Sequence, residues 1–159
     1  MKLNIGCGND YRVGFVNIDC RELARVDMVF DLLEIDKHIE PESVEYIHAS
    51  DVLEHISHRD IGGFLEKLCA IMMKDGQMFI RVPDGHSCAS GLLDTEDLSN
   101  EYCDGGVVYF MYGAQNYPSN FHYNIFTYES ICAALGRAGF SQVSPKTDEG
   151  RNMSLVATK

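Results

Sequence analysis

The chain has 159 residues, which fits one domain with a core large enough to stand without disulfide or metal staples. Its net charge of −11 repels phosphate backbones and anionic membrane surfaces, which excludes nucleic acid and membrane as partners and leaves small-molecule acceptors and proteins. No apolar run is long enough to cross a bilayer, and Met1 to Gly6 lack a secretory core, so a cytoplasmic protein is expected.

In chain order, Leu3 to Ile5 is a buried-strand candidate that ends in Gly6-Cys7-Gly8. Phe15 to Ile18 follows and ends at Asp19, then Met28 to Phe30 ends at Asp31. Tyr46 to Ala49 ends at Ser50-Asp51, and Met78 to Val82 ends at Pro83-Asp84. Between the last two, Ile61, Phe64, Leu65, Leu68, Ile71 and Met72 recur at helical spacing. Asp60 is the expected N-cap of that helix and Lys74-Asp75-Gly76 its stop. Residues 86–124 are rich in Gly, Ser, Asn and Tyr without a sustained period, as expected of a lid or binding insertion. A second helix is expected over Tyr128 to Ala138, capped by Thr127 and closed by Gly139. Gln142 to Ser144 and Met153 to Ala157 follow without a helix between them, which suggests a final antiparallel pair. Strands alternating with helices define an α/β fold. Six cysteines (7, 20, 69, 88, 103 and 132) form no Cys-x-x-Cys pair and are expected to be reduced.

The chemistry gathers at strand ends, where an open α/β sheet binds ligands. Gly6 and Gly8 let backbone approach a ligand closely. The third glycine of a dinucleotide fingerprint is missing, since Tyr11 stands in its place, and a P-loop is missing too. A ligand without a pyrophosphate is therefore favoured over a nicotinamide dinucleotide. Asp19 can accept from two ribose hydroxyls and Asp31 from an adenine amine, with Leu32 and Val52 as apolar walls. A capped turn or solvated loop is the competing explanation for each aspartate.

Leu3-Asn4-Ile5-Gly6-Cys7-Gly8, Val16-Asn17-Ile18-Asp19, Phe30-Asp31-Leu32 and Ser50-Asp51-Val52-Leu53-Glu54-His55 together resemble the class I S-adenosylmethionine (SAM)-dependent methyltransferases. The similar branch is that of the small methyltransferase type 11-like proteins. Lys74-Asp75-Gly76 stands at that branch's Lys-Pro-Gly-Gly. Tyr112 to Gln115, Asn120-Phe121-His122, Phe126-Thr127 and Ala138-Gly139-Phe140 resemble its C-terminal half. The resemblance implies one Rossmann-like domain over 1–159, with a mostly parallel seven-stranded sheet and a final antiparallel strand. It implies SAM as cofactor. Gly6, Cys7 and Gly8 would line its methionine and ribose parts, Asp19 the ribose hydroxyls, and Asp31 with Leu32 the adenine. Ser50 would contact the methionine amino end near Asp51 and Val52, and Asn4 stands at the position of an acidic residue that contacts the same amino group. Only about seven residues separate Gly8 from the second strand, where a parallel crossover takes a dozen or more, so the first helix must be reduced.

Methyl transfer from a sulfonium needs alignment and, for a hydroxyl acceptor, a base. Asp51, His55 and His122 are the candidates. The His55-x-x-His58 spacing has no third ligand in register, so no metal is expected. Tyrosines 102, 109, 112, 117 and 123 stack on a substrate ring or pack the lid. The expected activity is methyl transfer to a small-molecule acceptor, a sugar-like hydroxyl by analogy with the branch. The alternative is a catalytically silent SAM-binding or protein-interaction module of the same fold. Neither reading fixes an oligomeric state.

Overall fold

The computed structural model describes residues 1–94 and 106–159. Three short strands open the chain: β1 (Lys2–Ile5), β2 (Val16–Asp19) and β3 (Met28–Val29), paired in parallel with β2 in the middle. On the other side of β1 lie β4 (Val44–Ser50) and then β5 (Met72–Pro83), both parallel. The terminal strand β8 (Asn152–Thr158) runs antiparallel beside β5, and β6 (Gln142–Val143) pairs with its far edge. The order is β3-β2-β1-β4-β5-β8-β6. It is an open, mostly parallel Rossmann-like sheet with one antiparallel strand in its body, as the sequence leads one to expect. An eighth strand, β7 (Thr147–Glu149), forms a hairpin with β8 across Gly150-Arg151.

Strand alternation gives the sheet two unlike faces. Leu3, Ile5, Ile18, Ile47, Ala49, Met78, Ile80, Met153 and Leu155 are buried on one of them. The apolar sides of α1 (Ile35–His38), α2 (Ile61–Ile71) and α5 (Tyr128–Ala138) join the same core through Ile35, Phe64, Leu65, Leu68, Ile131 and Leu135. A row in register on the opposite face reads Asn17, Asn4, His48, Phe79, Val156. No helix stands between β1 and β2. Residues 6–15 cross over that face as a loop, tied down where the Asn4 Nδ2 donates to Asp10 O (2.7 Å) and to Asn17 Oδ1 (2.9 Å).

Three local expectations change. Helix α2 stops at Ile71, and Lys74-Asp75-Gly76 lies inside β5 as an irregularity in its pairing with β4, with Asp75 at φ +62°. Asp60 makes no capping bond because its own backbone is helical rather than extended; Ser57 O takes the Ile61 amide instead (3.0 Å). The 86–124 segment is partly regular: α3 (Gly85–Asp94) is a helix that buries only Cys88 and so shows no apolar stripe, and α4 (Val107–Tyr112) is a helix too short for a period to show. By contrast α5 begins at Thr127 with a reciprocal Thr127–Ser130 capping box and ends at Gly139 in the left-handed conformation, as its sequence dictates. Among the described residues, cysteines 7, 20, 69, 88 and 132 are free thiols, and no helix is long and apolar enough to cross a membrane.

Candidate active site

The parallel strands deliver their last residues to one rim. Gly6 follows β1, Asp19 closes β2, Asp31 follows β3, and Asp51 with Val52 follows β4. All of them, with Leu32, line a cavity of about 380 Å³, inside the roughly 300–1,000 Å³ of small-molecule sites. Gly6 sits at φ +58°, and a Cβ there would come within 2.7 Å of Val52 Cγ2. Only glycine fits that floor. Asp31 Oδ1 accepts from the Leu33 amide (2.9 Å), so it caps the 3-10 turn Leu32–Glu34 while it lines the cavity.

Asp19 is buried and already engaged. Its Oδ2 accepts from the Gly8 amide (2.8 Å), and its Oδ1 from the amide (2.9 Å) and Nε (3.0 Å) of Arg21. Burial pushes this carboxyl up, but the bonds from Arg21 and Gly8 outweigh it and hold the group below its ordinary range. The Arg21 guanidinium lies 4.4 Å over the Tyr117 ring, a cation–π contact that reaches from the β2 end to the loop opposite. Tyr117, Pro118, Ser119 and Tyr123 of that loop form the far wall.

Four residues expected at the cofactor do not line the cavity. Asn4 is buried, with its amide committed to the 6–15 loop. The Cys7 amide donates to Ile18 O (2.9 Å), and burial, with Asp19 nearby, raises its thiol to about 11. Gly8 contributes its amide to Asp19. Ser50 donates its hydroxyl to Asp51 Oδ2 (2.9 Å).

A second cavity of about 220 Å³ adjoins the first, and Asp51, His55 and Tyr117 line both. Glu54, Pro83, Tyr109, Phe110, Ala114, Asn120 and His122 complete it. Two backbone amides build this neighbourhood by stitching the 113–126 loop to the 3-10 turn after β4. Tyr123 N and Asn124 N both donate to Glu54 O (2.8 and 3.1 Å). The His55 Nδ1 lies 2.9 Å from Phe121 O, and the His122 Nδ1 lies 2.8 Å from Phe110 O. A carbonyl only accepts, so each Nδ1 carries the proton and each Nε2 keeps its lone pair. The rings meet edge to face, 4.8 Å between centroids. Burial pushes both imidazoles below the usual histidine range, which keeps them neutral near pH 7.

Asp51 holds a left-handed backbone (φ +55°) and pairs with Arg81, whose Nε also donates to Glu149 (2.9 Å). Glu54 is 1% exposed, and neither of its oxygens has a hydrogen-bond partner among the described residues. Burial, then the Asp51 charge, raises its carboxyl well above the usual range. His58 is exposed and Tyr112 is 53% exposed. Tyr109 and Tyr117 line the second cavity, Tyr117 and Tyr123 the first, and Tyr102 lies outside the described residues. Sequence reasoning gave no role to Arg21 or Glu54. The spacing Asp19-x-Arg21 was the available sign of the first; nothing local marks the second as buried.

Fold and rim together define a Rossmann-like domain with a small-molecule cavity at its strand ends. The chain belongs to the methyltransferase-domain family, whose model matches residues 3–144. It is similar in fold to a SAM-dependent methyltransferase from Archaeoglobus fulgidus, with 14% identity, a TM-score of 0.67, and 99% of this chain and 85% of that one covered. A SAM-dependent methyltransferase from Mesorhizobium loti gives 12%, 0.65, 99% and 90%. The Burkholderia thailandensis 1,6-didemethyltoxoflavin-N1-methyltransferase, solved with 1,6-didemethyltoxoflavin and S-adenosylhomocysteine, gives 14%, 0.63, 99% and 70%. No curated protein sequence matches the chain. The protein is a SAM-dependent methyltransferase and SAM is its cofactor, which the glycine floor, apolar walls and rim carboxylates of the first cavity suit.

Proposed function

We propose that the enzyme methylates a hydroxyl on a small ring-bearing acceptor held in the second cavity. The supporting observation is the contiguity of the two cavities, which share Asp51, His55 and Tyr117 as a common wall. SAM supplies an electrophilic methyl on a sulfonium when bound. In the first cavity Asp19 holds the ribose hydroxyls, Asp31 and Leu32 hold adenine, and Gly6 and Val52 form the floor. Asn4, Cys7, Gly8 and Ser50 act from behind, by holding the loop and carboxylates in place.

The second cavity suits an acceptor no larger than one or two rings. Tyr109, Phe110 and Tyr117 offer aromatic faces to a flat ring or to the C–H face of a sugar, and Asn120 offers a polar contact. A free hydroxyl is a poor nucleophile at pH 7, so its proton must be drawn off in the transition state. The neutral imidazoles of His55 and His122 answer that need, their lone pairs fixed on Nε2 by backbone carbonyls. Asp51, tied to Arg81 and Ser50, serves as the partition between cofactor and acceptor rather than as the base.

Calorimetry with S-adenosylhomocysteine, followed by mass spectrometry of a hydroxylated acceptor panel incubated with SAM, tests this. We expect one ligand per chain and methylated product. Binding without product across phenols, sugars and hydroxy acids would instead favour a silent module. No binding at millimolar ligand would remove the assignment of the first cavity.

A further inference from the structure

One feature of the second cavity exceeds what proton transfer requires. Glu54 is buried, and neither of its carboxyl oxygens has a hydrogen-bond partner among the described residues. A buried carboxyl of this kind either keeps a proton or meets a cation, since an isolated buried carboxylate is costly. Beside it stand two imidazoles whose Nδ1–H groups both donate to main-chain carbonyls, at 2.9 and 2.8 Å. That arrangement is how proteins orient metal-ligating histidines, since it fixes the tautomer and aims the Nε2 lone pair. One potential ligand atom from each of Glu54, His55 and His122 lies within 4.8 Å of the other two. Donors bound to one ion at about 2.0–2.2 Å stand roughly 3–4 Å apart, so small side-chain rotations close the set. The Asp51 carboxylate at the shared wall is already paired with Arg81, so the set rests on Glu54 and the two imidazoles.

We propose that Glu54, His55 and His122 bind a divalent first-row transition-metal ion in the second cavity, and that an oxygen of the acceptor completes its coordination. Two imidazoles favour such an ion over magnesium or calcium, which prefer all-oxygen sites. Three protein ligands leave positions open, the pattern of a catalytic rather than a structural site. The coordinating acceptor rests on the methyl-transfer reading above; the ion itself does not. An ion here would lower the pKa of an acceptor hydroxyl, whose proton would leave to water, and the histidines would serve as ligands rather than as the immediate base. His58, which the sequence pairs with His55, is exposed and takes no part.

The test uses the full chain, stripped with a chelator and dialysed, then titrated separately with Zn²⁺, Mn²⁺ and Co²⁺. Metal content per chain and the visible d–d bands of the Co²⁺ form are the readouts, neither of which needs turnover. We expect one ion per chain, with affinity reduced at least tenfold to a hundredfold in both His122→Ala and Glu54→Gln and unchanged in His58→Ala. S-adenosylhomocysteine titration of each variant checks that the fold and first cavity persist, because Glu54→Gln keeps the side chain's shape. Lack of stoichiometric binding by all three ions, or binding indifferent to both variants, overturns the proposal. Metal binding without S-adenosylhomocysteine binding would uphold the site and defeat the methyl-transfer reading instead.

Discussion

Asp19 and Gly6 show how single residues set the cofactor cavity. Asp19 is held as a carboxylate by Arg21 and the Gly8 amide, so it presents charge to the first cavity before any ligand arrives. Asp19→Asn keeps the shape but removes the charge. It is expected to weaken S-adenosylhomocysteine binding by about 1.5–3 kcal/mol, the range for hydrogen bonds to charged groups, as read by calorimetry. Gly6→Ala meets Val52 at 2.7 Å in a left-handed backbone. A strain of about 1–2 kcal/mol should appear as a lower melting temperature, together with weaker ligand binding. The glycines and aspartates were legible from sequence because strand, glycine and carboxylate occur in a fixed local order. The Asp19-x-Arg21 spacing hinted at the ion pair, but the stacking of Arg21 on Tyr117, far along the chain, was not legible.

At the scale of elements, the loop after α4 builds one wall of the second cavity. Gly113 ends that helix at φ +79°, and a Cβ there would meet Asn120 O at 2.7 Å and His122 Cδ2 at 3.0 Å. Gly113→Ala should therefore displace His122 and abolish turnover while S-adenosylhomocysteine still binds. Equal loss of both would show that the loop is not a separate unit. Helix α2 has a different task, since Leu68 is fully buried against the sheet. Leu68→Ala is expected to cost about 2–5 kcal/mol in urea unfolding with little direct effect on the site. Helices α2 and α5 were readable because an eleven-residue helix repeats its apolar stripe several times. The six-residue α4 repeats nothing, and its sequence of Val, Tyr and Phe favours strand as much as helix.

For the molecule as a whole, the antiparallel end of the sheet is held by an ion pair between a buried carboxylate and a half-buried lysine. Lys146 Nζ donates to Asp84 Oδ2 at 2.6 Å, joining the segment before β7 to the end of β5. Burial raises the Asp84 carboxyl, but Lys146 and the His86 amide outweigh it, and the folded value lies below the ordinary 3.8. A depressed carboxyl stabilises the fold fully above 3.8 and loses that contribution as pH falls through the folded value. Asp19 acts in the same direction. Lys146→Met should move the acid-unfolding midpoint to higher pH and lower stability at pH 7 by about 1–3 kcal/mol, measured by circular dichroism against pH and urea. An unchanged acid midpoint would show that Asp84 does not depend on Lys146.

Sequence alone determined the α/β class, the strand ends that line the first cavity and the caps of α5, because these follow from neighbours within a few residues. It also carried the loss of the first helix, since the chain between β1 and β2 is too short to hold one. Only the tertiary structure decided that the Asn4 amide is committed to Asp10 and Asn17 and that β5 absorbs Lys74 to Gly76. It alone brought His122 to Glu54 and His55, through main-chain bonds between segments more than sixty residues apart. Period and spacing encode what one segment does; which distant carbonyl orients an imidazole, and which carboxylate is buried beside it, depends on packing that no local pattern records.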